Sequence, residues 1–215
     1  MISKLEICNN ALDLAGQGIH IKDLDEKSRE CDLCKSLYDS TIERALVKYN
    51  FSFSRKDEVI TKEMQVDHIS LPWRYSYSIP SDCLKILYLA PLEQLGGEDS
   101  IHNRTLDFNF RQTEGQTVIC TNVPAPFVVH YQAKVTDESL FSAGFTEAVE
   151  YLLAARIAPA LIHGTTGIQV GQSLMQFGFQ LLDLAAGQDS SQGATSITDK
   201  AVPSFVRARG GFNRD

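Results

Sequence analysis

The stretch FTEAVEYLLAARIAPA, residues 145–160, decides the fold of this 215-residue chain. Its apolar residues fall on nearly every side of a helix, which is typical of a helix enclosed by other elements. Pro159 lies near its end, where proline is expected to kink or terminate a helix. We therefore predict a central helix over 144–163 and look for the elements that cover it.

Two helices precede this stretch. A Ser-X-X-Glu capping box that begins at Ser3 opens the first, which is predicted over 3–15. The second is predicted over 26–50 from its wide apolar face, with Asp25 or Ser28 as its N-cap. Because only a short linker separates the two, we expect them to pair as an antiparallel hairpin.

One helix follows the central stretch and is predicted over 168–186. It contains Gly171 and Gly178, so its intrinsic helix propensity is weak and packing must hold it. Residues 187–215 are then rich in Ser, Gln, Gly and Thr, a composition that predicts a flexible C-terminal tail.

The middle of the chain has a different pattern, with five of the seven prolines between Pro72 and Pro126. Leu106, Phe108 and Phe110 alternate with polar residues, which predicts a half-buried strand. We expect a small antiparallel β-subdomain over about 70–135. Its predicted strands are Tyr75–Ile79, Leu84–Leu89, Thr105–Phe110, Thr117–Cys120 and Phe127–Ala133.

The predicted fold class is therefore α+β: an antiparallel α-helical bundle with an inserted small antiparallel β-subdomain and a flexible C-terminal tail. The formal net charge of −7 argues against a protein that coats nucleic acid, which needs a concentrated basic face. Five scattered cysteines do not form a disulfide framework, and no apolar run has the roughly 20 residues of a membrane span. We expect a reduced, cytosolic chain without a membrane segment.

Motifs with possible chemistry favour structural roles. Cys31 and Cys34 form a lone CxxC inside a predicted helix, where core packing is favoured over metal or redox chemistry. The pair Glu147 and Glu150 lies near a helix start, where negative charge suits the helix dipole. We predict no catalytic residue, no cofactor-binding residue and no metal ligand.

Two further features have both a functional and a structural interpretation. Cys83 beside Asp82 would form a thiol site if folding brought a histidine such as His130 near, but a turn and a strand cysteine are favoured. An aromatic row would stack on bases or form one face of a strand packed on the core, and the second interpretation is favoured. The row consists of Trp73, Tyr75 and Tyr77.

The C-terminal tail carries aromatic, aliphatic and arginine side chains, the types that contribute most energy at protein interfaces. Partner docking and plain disorder both remain open for it at this stage. The candidate partner-binding residues are Val202, Phe205, Val206, Arg207 and Arg209.

Three segments together carry a family resemblance. One is the N-terminal helix pair with Asn10-Ala11-Leu12, Asp23-Leu24-Asp25-Glu26 and Phe51-Ser52-Phe53, and the second is WRYSYSIPSDCLKI, residues 73–86. The third is Val129-His130-Tyr131 with Val135-Thr136-Asp137, followed by residues 145–148 and 152–158. In this order and spacing they resemble the tail tubular protein A family, the head-to-tail adaptors of short-tailed bacteriophages. The resemblance extends from Asn10 to about Ala186.

This resemblance implies a structural protein of the virion tail at the head–tail junction, assembled in the host cytoplasm. Its ring, of twelve subunits in the family's usual form, would join the portal protein to the tail nozzle protein and leave a central channel for DNA. An acidic wall lets phosphates pass without binding them. The implied division is an adaptor domain over 1–186 and a portal-docking tail over 187–215.

Two other classes remain as alternatives. A virion-associated cell-wall or glycan hydrolase would need two carboxylates about 5–10 Å apart in a cleft, and no pair stands out in the sequence. A small binding module of the host cell would be a monomer without ring-forming surfaces.

Overall fold

The computed structural model describes residues 2–64, 72–92, 105–113 and 115–192. These residues form a mixed α+β structure with four α-helices and two antiparallel three-stranded sheets, which confirms the predicted class. The elements in chain order are α1 (Lys4–Leu14), α2 (Arg29–Lys48), β1 (Arg55–Ile60), β2 (Tyr75–Ser78), β3 (Cys83–Pro91), β4 (Phe108–Thr113), β5 (Gln116–Thr121), β6 (Phe127–Ala133), α3 (Ala143–Leu161) and α4 (Thr165–Gln192).

The first two helices begin at their side-chain caps. The Ser3 hydroxyl accepts the Glu6 N–H at 3.3 Å, as the capping box predicts. Gly16, with a φ of +77°, follows the end of α1 in the left-handed conformation that glycine adopts easily. Ser28 caps α2 by accepting the Cys31 N–H at 3.3 Å, so this helix begins three residues later than a cap at Asp25 would allow.

Helix α3 is the centre of the helical part and contacts the other three helices. Ten of its residues are buried, on most of its sides. Pro159 does not terminate it, because α3 continues to Leu161. The large aromatic residue Phe145 packs edge-on against Phe51 at 4.9 Å between ring centroids, which closes the core where α2 ends.

The last helix, α4, is longer than its predicted range and runs to Gln192. Asp189 supplies a reason for the extra turns. Its carboxylate accepts the Ser52 N–H at 2.7 Å, which ties the end of α4 to the chain just after α2. Among the helices in the described ranges, none combines the length and apolar character needed to cross a membrane.

The six strands form two sheets with the orders β1-β6-β3 and β2-β5-β4. The sheets meet at Tyr77 and Phe127, whose rings are edge-to-face with centroids 4.8 Å apart. Strand β1 was missed from the sequence because five of its six residues are exposed and four are charged. The expected burial of Phe110 was wrong, since this residue lies on the edge strand β4 and is 46% exposed.

One buried side chain joins the sheets to the helices. Gln132 on β6 donates from Nε2 to the carbonyl oxygens of Leu46 at 2.5 Å and Tyr49 at 2.6 Å. These carbonyls belong to the end of α2, whose last carbonyls have no partner within the helix. The β-strands are therefore fastened to the helical part at the C-terminus of α2.

Candidate assembly interface

Glycines bring α4 unusually close to α3. A Cβ added at Gly171 would lie 2.8 Å from the Ala155 carbonyl oxygen, and one at Gly178 would lie 2.8 Å from Leu152 Cδ2. Both distances are too short for real carbon atoms, so these positions admit only glycine without movement. These contacts form a glycine seam between α3 and α4, and such packing is what the sequence predicts for a helix of weak intrinsic propensity. The seam also fixes which sides of α4 face away from α3.

Those other sides carry large apolar residues in solvent. Ile168 and Phe179 are 53% and 39% exposed, while Phe177 and Leu184 are 57% and 64% exposed. The separation of nine residues between Ile168 and Phe177 is about two and a half turns, so the two lie on opposite sides of α4. Phe179 falls near Ile168 on this count, and Leu184 falls near Phe177. The four residues therefore form two exposed apolar sides of α4.

The side with Phe179 faces α2. Lys48 of α2 lies over the Phe179 ring with its Nζ 4.0 Å from the centroid. Lys48 also pairs with Asp183 at 3.4 Å, and the Tyr49 hydroxyl donates to the same carboxylate in a short hydrogen bond. The hydrogen bond from Tyr49, followed by Lys48, lowers the pKa of Asp183. The opposite side of α4, with Phe177 and Leu184, therefore points away from α2.

A half-buried arginine lies between α3 and α2. Arg156 donates from Nη1 to the carbonyl oxygen of Leu37 at 3.0 Å and to the hydroxyls of Ser40 at 2.9 Å and Thr41 at 2.6 Å. All three acceptors are neutral. Burial lowers the pKa of the guanidinium, and the positive charge of Arg44 lowers it further.

A half-buried carboxylate lies between α3 and α1. Glu150 accepts a hydrogen bond of 2.7 Å from Asn10 Nδ2. Burial raises the pKa of Glu150, the Asn10 hydrogen bond opposes this, and the negative charges of Glu147 and Glu6 raise it further. The interpretation of Glu147 and Glu150 as charges that suit the helix dipole did not include this contact between α3 and α1. No local sequence pattern indicates the contact, because Asn10 and Glu150 are 140 residues apart.

A cavity of about 190 Å³ lies between the α1 and α2 side chains and the segment after β6. Its acidic side chains form ion pairs or a hydrogen bond with neighbouring residues. Asp39 pairs with Lys4 at 3.3 Å, and Glu43 pairs with Lys134 at 2.5 Å. The Tyr38 hydroxyl donates to Glu138 Oε1 at 3.1 Å. The cavity is thus lined by paired charges of α1, α2 and the segment after β6.

The helical cysteines pack in the core. Cys31 and Cys34 are fully buried among apolar residues, as the structural interpretation predicts. Cys31 donates to the Leu24 carbonyl oxygen at 3.0 Å, and burial raises its pKa. Cys8 is also buried, and its hydrogen bond with Cys34 raises its pKa. In the described part of the chain, no three His, Cys, Asp or Glu residues are grouped so that they could hold a metal ion.

Cys83 and His130 do not come together as a thiol site. Asp82 accepts from Lys56 at 2.6 Å and from the Tyr131 hydroxyl at 2.9 Å, and the Lys56 contact is the main cause of its lowered pKa. Burial raises the pKa of Cys83 to about 11, which disfavours the thiolate. His130 pairs with Asp57 at 2.6 Å and lies opposite Tyr88 in the sheet, away from Cys83.

Two residues of the aromatic row, Tyr75 and Tyr77, belong to the β core. Tyr77 is fully buried, and its hydroxyl donates to the Val123 carbonyl oxygen at 3.2 Å and accepts the Ala125 N–H at 2.9 Å. Tyr75 packs against the same core, and its ring centroid is 6.5 Å from that of Tyr77. Tyr75 and Tyr77 are thus on one strand face, as predicted, whereas Trp73 precedes β2. The candidate partner-binding residues Val202, Phe205, Val206, Arg207 and Arg209 lie outside the described residues.

No protein-family model matches the sequence, and comparison with curated proteins gives no match. Three features of the described residues bear on function. They are the two exposed apolar sides of α4, Arg156 with its neutral acceptors, and Glu150 with the carboxylates near it.

Proposed function

We propose that this protein is a structural head-to-tail adaptor of a phage virion. It forms a ring between the portal protein and the tail nozzle protein, and DNA passes through the central channel without specific binding. In this proposal the four helices are the antiparallel bundle of the adaptor domain, and the two sheets are its inserted β-subdomain. The proposal starts from the family resemblance of residues 10–186.

The observation that carries the proposal is the pair of exposed apolar sides on α4. A closed ring needs a head-to-tail contact, in which each subunit offers two different surfaces to its two neighbours. Phe177 and Leu184 provide apolar surface on one side of α4, and Ile168 and Phe179 provide it on the other. A monomeric binding module has no need of two such sides, since exposed apolar surface promotes unwanted association.

The rigid seam between α3 and α4 supports the same role. The close approach at Gly171 and Gly178 leaves little room for α4 to shift on α3. A subunit of fixed shape fixes the angle between neighbours, and this angle determines how many subunits close the ring. We propose twelve subunits, as the family's usual form implies.

The hydrolase alternative gains no support from the described cavity. Its Asp39 and Glu43 are paired with lysines, whereas a glycosidase needs one carboxyl group held protonated and a second one that is free to react. We therefore propose a protein without enzymatic activity, whose partners are the portal, the nozzle and further copies of itself.

The test is to mix the purified protein with the portal protein of the same virus and to image the product by electron microscopy. The expected product is a ring of adaptor subunits under the portal ring, in equal number and with an open channel. No association, or single adaptor subunits at random portal positions, would contradict the proposal.

The tail contributes a separate test of portal docking. A chain truncated after Ala201 lacks Val202, Phe205, Val206, Arg207 and Arg209 and is expected to bind the portal more weakly. Unchanged portal binding by the truncated chain would refute this part of the proposal and leave the ring itself in place.

A further inference from the structure

The charges around α3 lie on two opposite sides. Arg156 and Glu147 are nine residues apart, or about two and a half turns, so they leave the helix in opposite directions. Arg156 points to α2, where its three acceptors lie. Glu150, near Glu147, contacts Asn10 of α1. The helical part thus has an arginine side next to α2 and a carboxylate side next to α1.

The arginine side consists of Arg29, Arg44 and Arg156. Arg29 donates from Nη2 to the Ala160 carbonyl oxygen at 2.6 Å, near the end of α3. Arg44 is exposed and close enough to lower the pKa of Arg156. Among the residues that the structure describes, no carboxylate lies within 4 Å of these guanidinium groups, although five lysines have such a partner.

The carboxylate side consists of Glu6, Glu147 and Glu150. Glu147 and Glu6 both raise the pKa of Glu150, so the three negative charges repel one another. Within residues 2–64, 72–92, 105–113 and 115–192, no lysine, arginine or histidine forms a salt bridge with any of them. Each side therefore holds charge that a surface of opposite sign would stabilise.

The apolar residues of α4 fall on the same two sides. Phe179 lies beside Lys48 of α2, so it accompanies the arginine side. Phe177 and Leu184 lie on the other side of α4 and accompany the carboxylate side. Guanidinium–carboxylate pairs gain strength when neighbouring apolar contacts exclude water from them.

Resting on the proposed ring, we propose that each subunit places its Glu6, Glu147 and Glu150 side against the Arg29, Arg44 and Arg156 side of the next copy of the same chain. One sequence carries both halves on opposite sides of one helix, which is the arrangement that a head-to-tail contact requires. DNA is the less favoured occupant of the arginine side, because the apolar residues beside it match a protein surface.

The test uses charge reversal at the exposed members, with the portal present as a template. Arg44→Glu and Glu147→Arg each place like charges across every contact, so each variant alone is expected to assemble at least about tenfold more weakly. An equal mixture of the two is expected to recover assembly, because the carboxylate introduced at position 44 of one chain then meets the guanidinium introduced at position 147 of the other. Sedimentation velocity and electron microscopy measure the product.

Matched controls are Arg111→Glu on β4 and Glu58→Arg on β1, which reverse exposed charges away from both sides and should assemble as the wild type does. Arg44→Gln and Glu147→Gln provide milder second variants, expected to weaken assembly less than the reversals.

Three results would overturn the inference. They are equal effects of the control variants, failure of the mixture to recover, and intact assembly of Arg44→Glu together with loss of binding to double-stranded DNA in a gel-shift assay. Normal rings from both reversal variants would refute this contact and leave the adaptor function standing. No ring from any chain, wild type included, would refute both.

Discussion

The carbonyl oxygen of Ala155 lies directly under Gly171, at 2.8 Å from where a Cβ of residue 171 would be. Pro159, four residues after Ala155, has no N–H to donate to this carbonyl. The missing hydrogen bond and the missing side chain therefore occur at one point, where α4 comes closest to α3. Helix α3 continues past Pro159 at this point. Helix α4 can come this close to α3 because residue 171 has no side chain.

The first prediction concerns this contact. Gly171→Ala removes a poor helix former, but the added methyl meets a backbone oxygen that moves only with α3. We expect a net loss of about 1–3 kcal/mol in the free energy of unfolding, measured by urea titration. Gly187→Ala is the control, since nothing lies within 4 Å of its added methyl, and it should gain up to about 1 kcal/mol. Equal stabilisation by both substitutions would contradict the close contact.

The second prediction separates assembly from folding. Phe177→Ser and Leu184→Ser change exposed residues, so the stability of the isolated chain should stay within about 0.5 kcal/mol of wild type. Ring formation on the portal should weaken at least about tenfold, because these residues are proposed to be covered by the next subunit. Phe110→Ser, at 46% exposure on β4, is the matched control. If it impaired assembly equally, the role of α4 would be refuted.

The third prediction concerns the link between sheet and helix. Gln132→Glu keeps the side-chain shape but replaces the amide donor by a carboxylate that faces two carbonyl oxygens. We expect a loss of more than about 3 kcal/mol at neutral pH, with partial recovery in acid as the carboxyl group gains a proton that it can donate. Chemical unfolding at both pH values measures this. Gln112→Glu, exposed on β4, should change stability little; a tolerated Gln132→Glu would show that the link is dispensable.

The fourth prediction is a pH dependence. Burial raises the pKa of Glu150 in the folded chain, so folding favours its protonated form. The stability associated with this proton is complete below the unfolded pKa of about 4.3 and is lost as pH rises through the higher folded pKa. Glu150→Gln should therefore be more stable than wild type at neutral pH and equal to it near pH 3, as followed by urea unfolding of the isolated chain. A less stable Glu150→Gln at neutral pH would reverse the assigned sign.

Periodicity was sufficient to predict the helices, and two of them begin at caps that the sequence shows, Ser3 and Ser28. It was insufficient for β1, since an exposed edge strand with charged residues has no apolar alternation. The same limit applied to α4. Its apolar residues extend over more than half of the helix circumference, and only the glycine seam determines which of them face α3 and which face solvent.

The candidate interface depended on contacts that spacing cannot reveal. Arg156 occurs within an apolar helix, and its acceptors Leu37, Ser40 and Thr41 are more than 100 residues away in the chain. Asn10 and Glu150 are similarly distant. The spacing of Arg156 and Glu147 on α3 is in the sequence, but the contacts of Arg156 with α2 and of Glu150 with α1 became visible only in the structure.

The two hydrogen bonds of Gln132 have a mechanical consequence. The final turn of α2 cannot fray without breaking both hydrogen bonds of the buried Gln132 side chain, so the amide hydrogens of this turn should exchange slowly for a helix end. Part of a pull on the β-strands is transmitted through the Gln132 amide group to the backbone of α2, and from there to Arg156 on α3. A force applied to the sheets would thus act on the hydrogen bonds of Arg156 at the arginine side of the subunit.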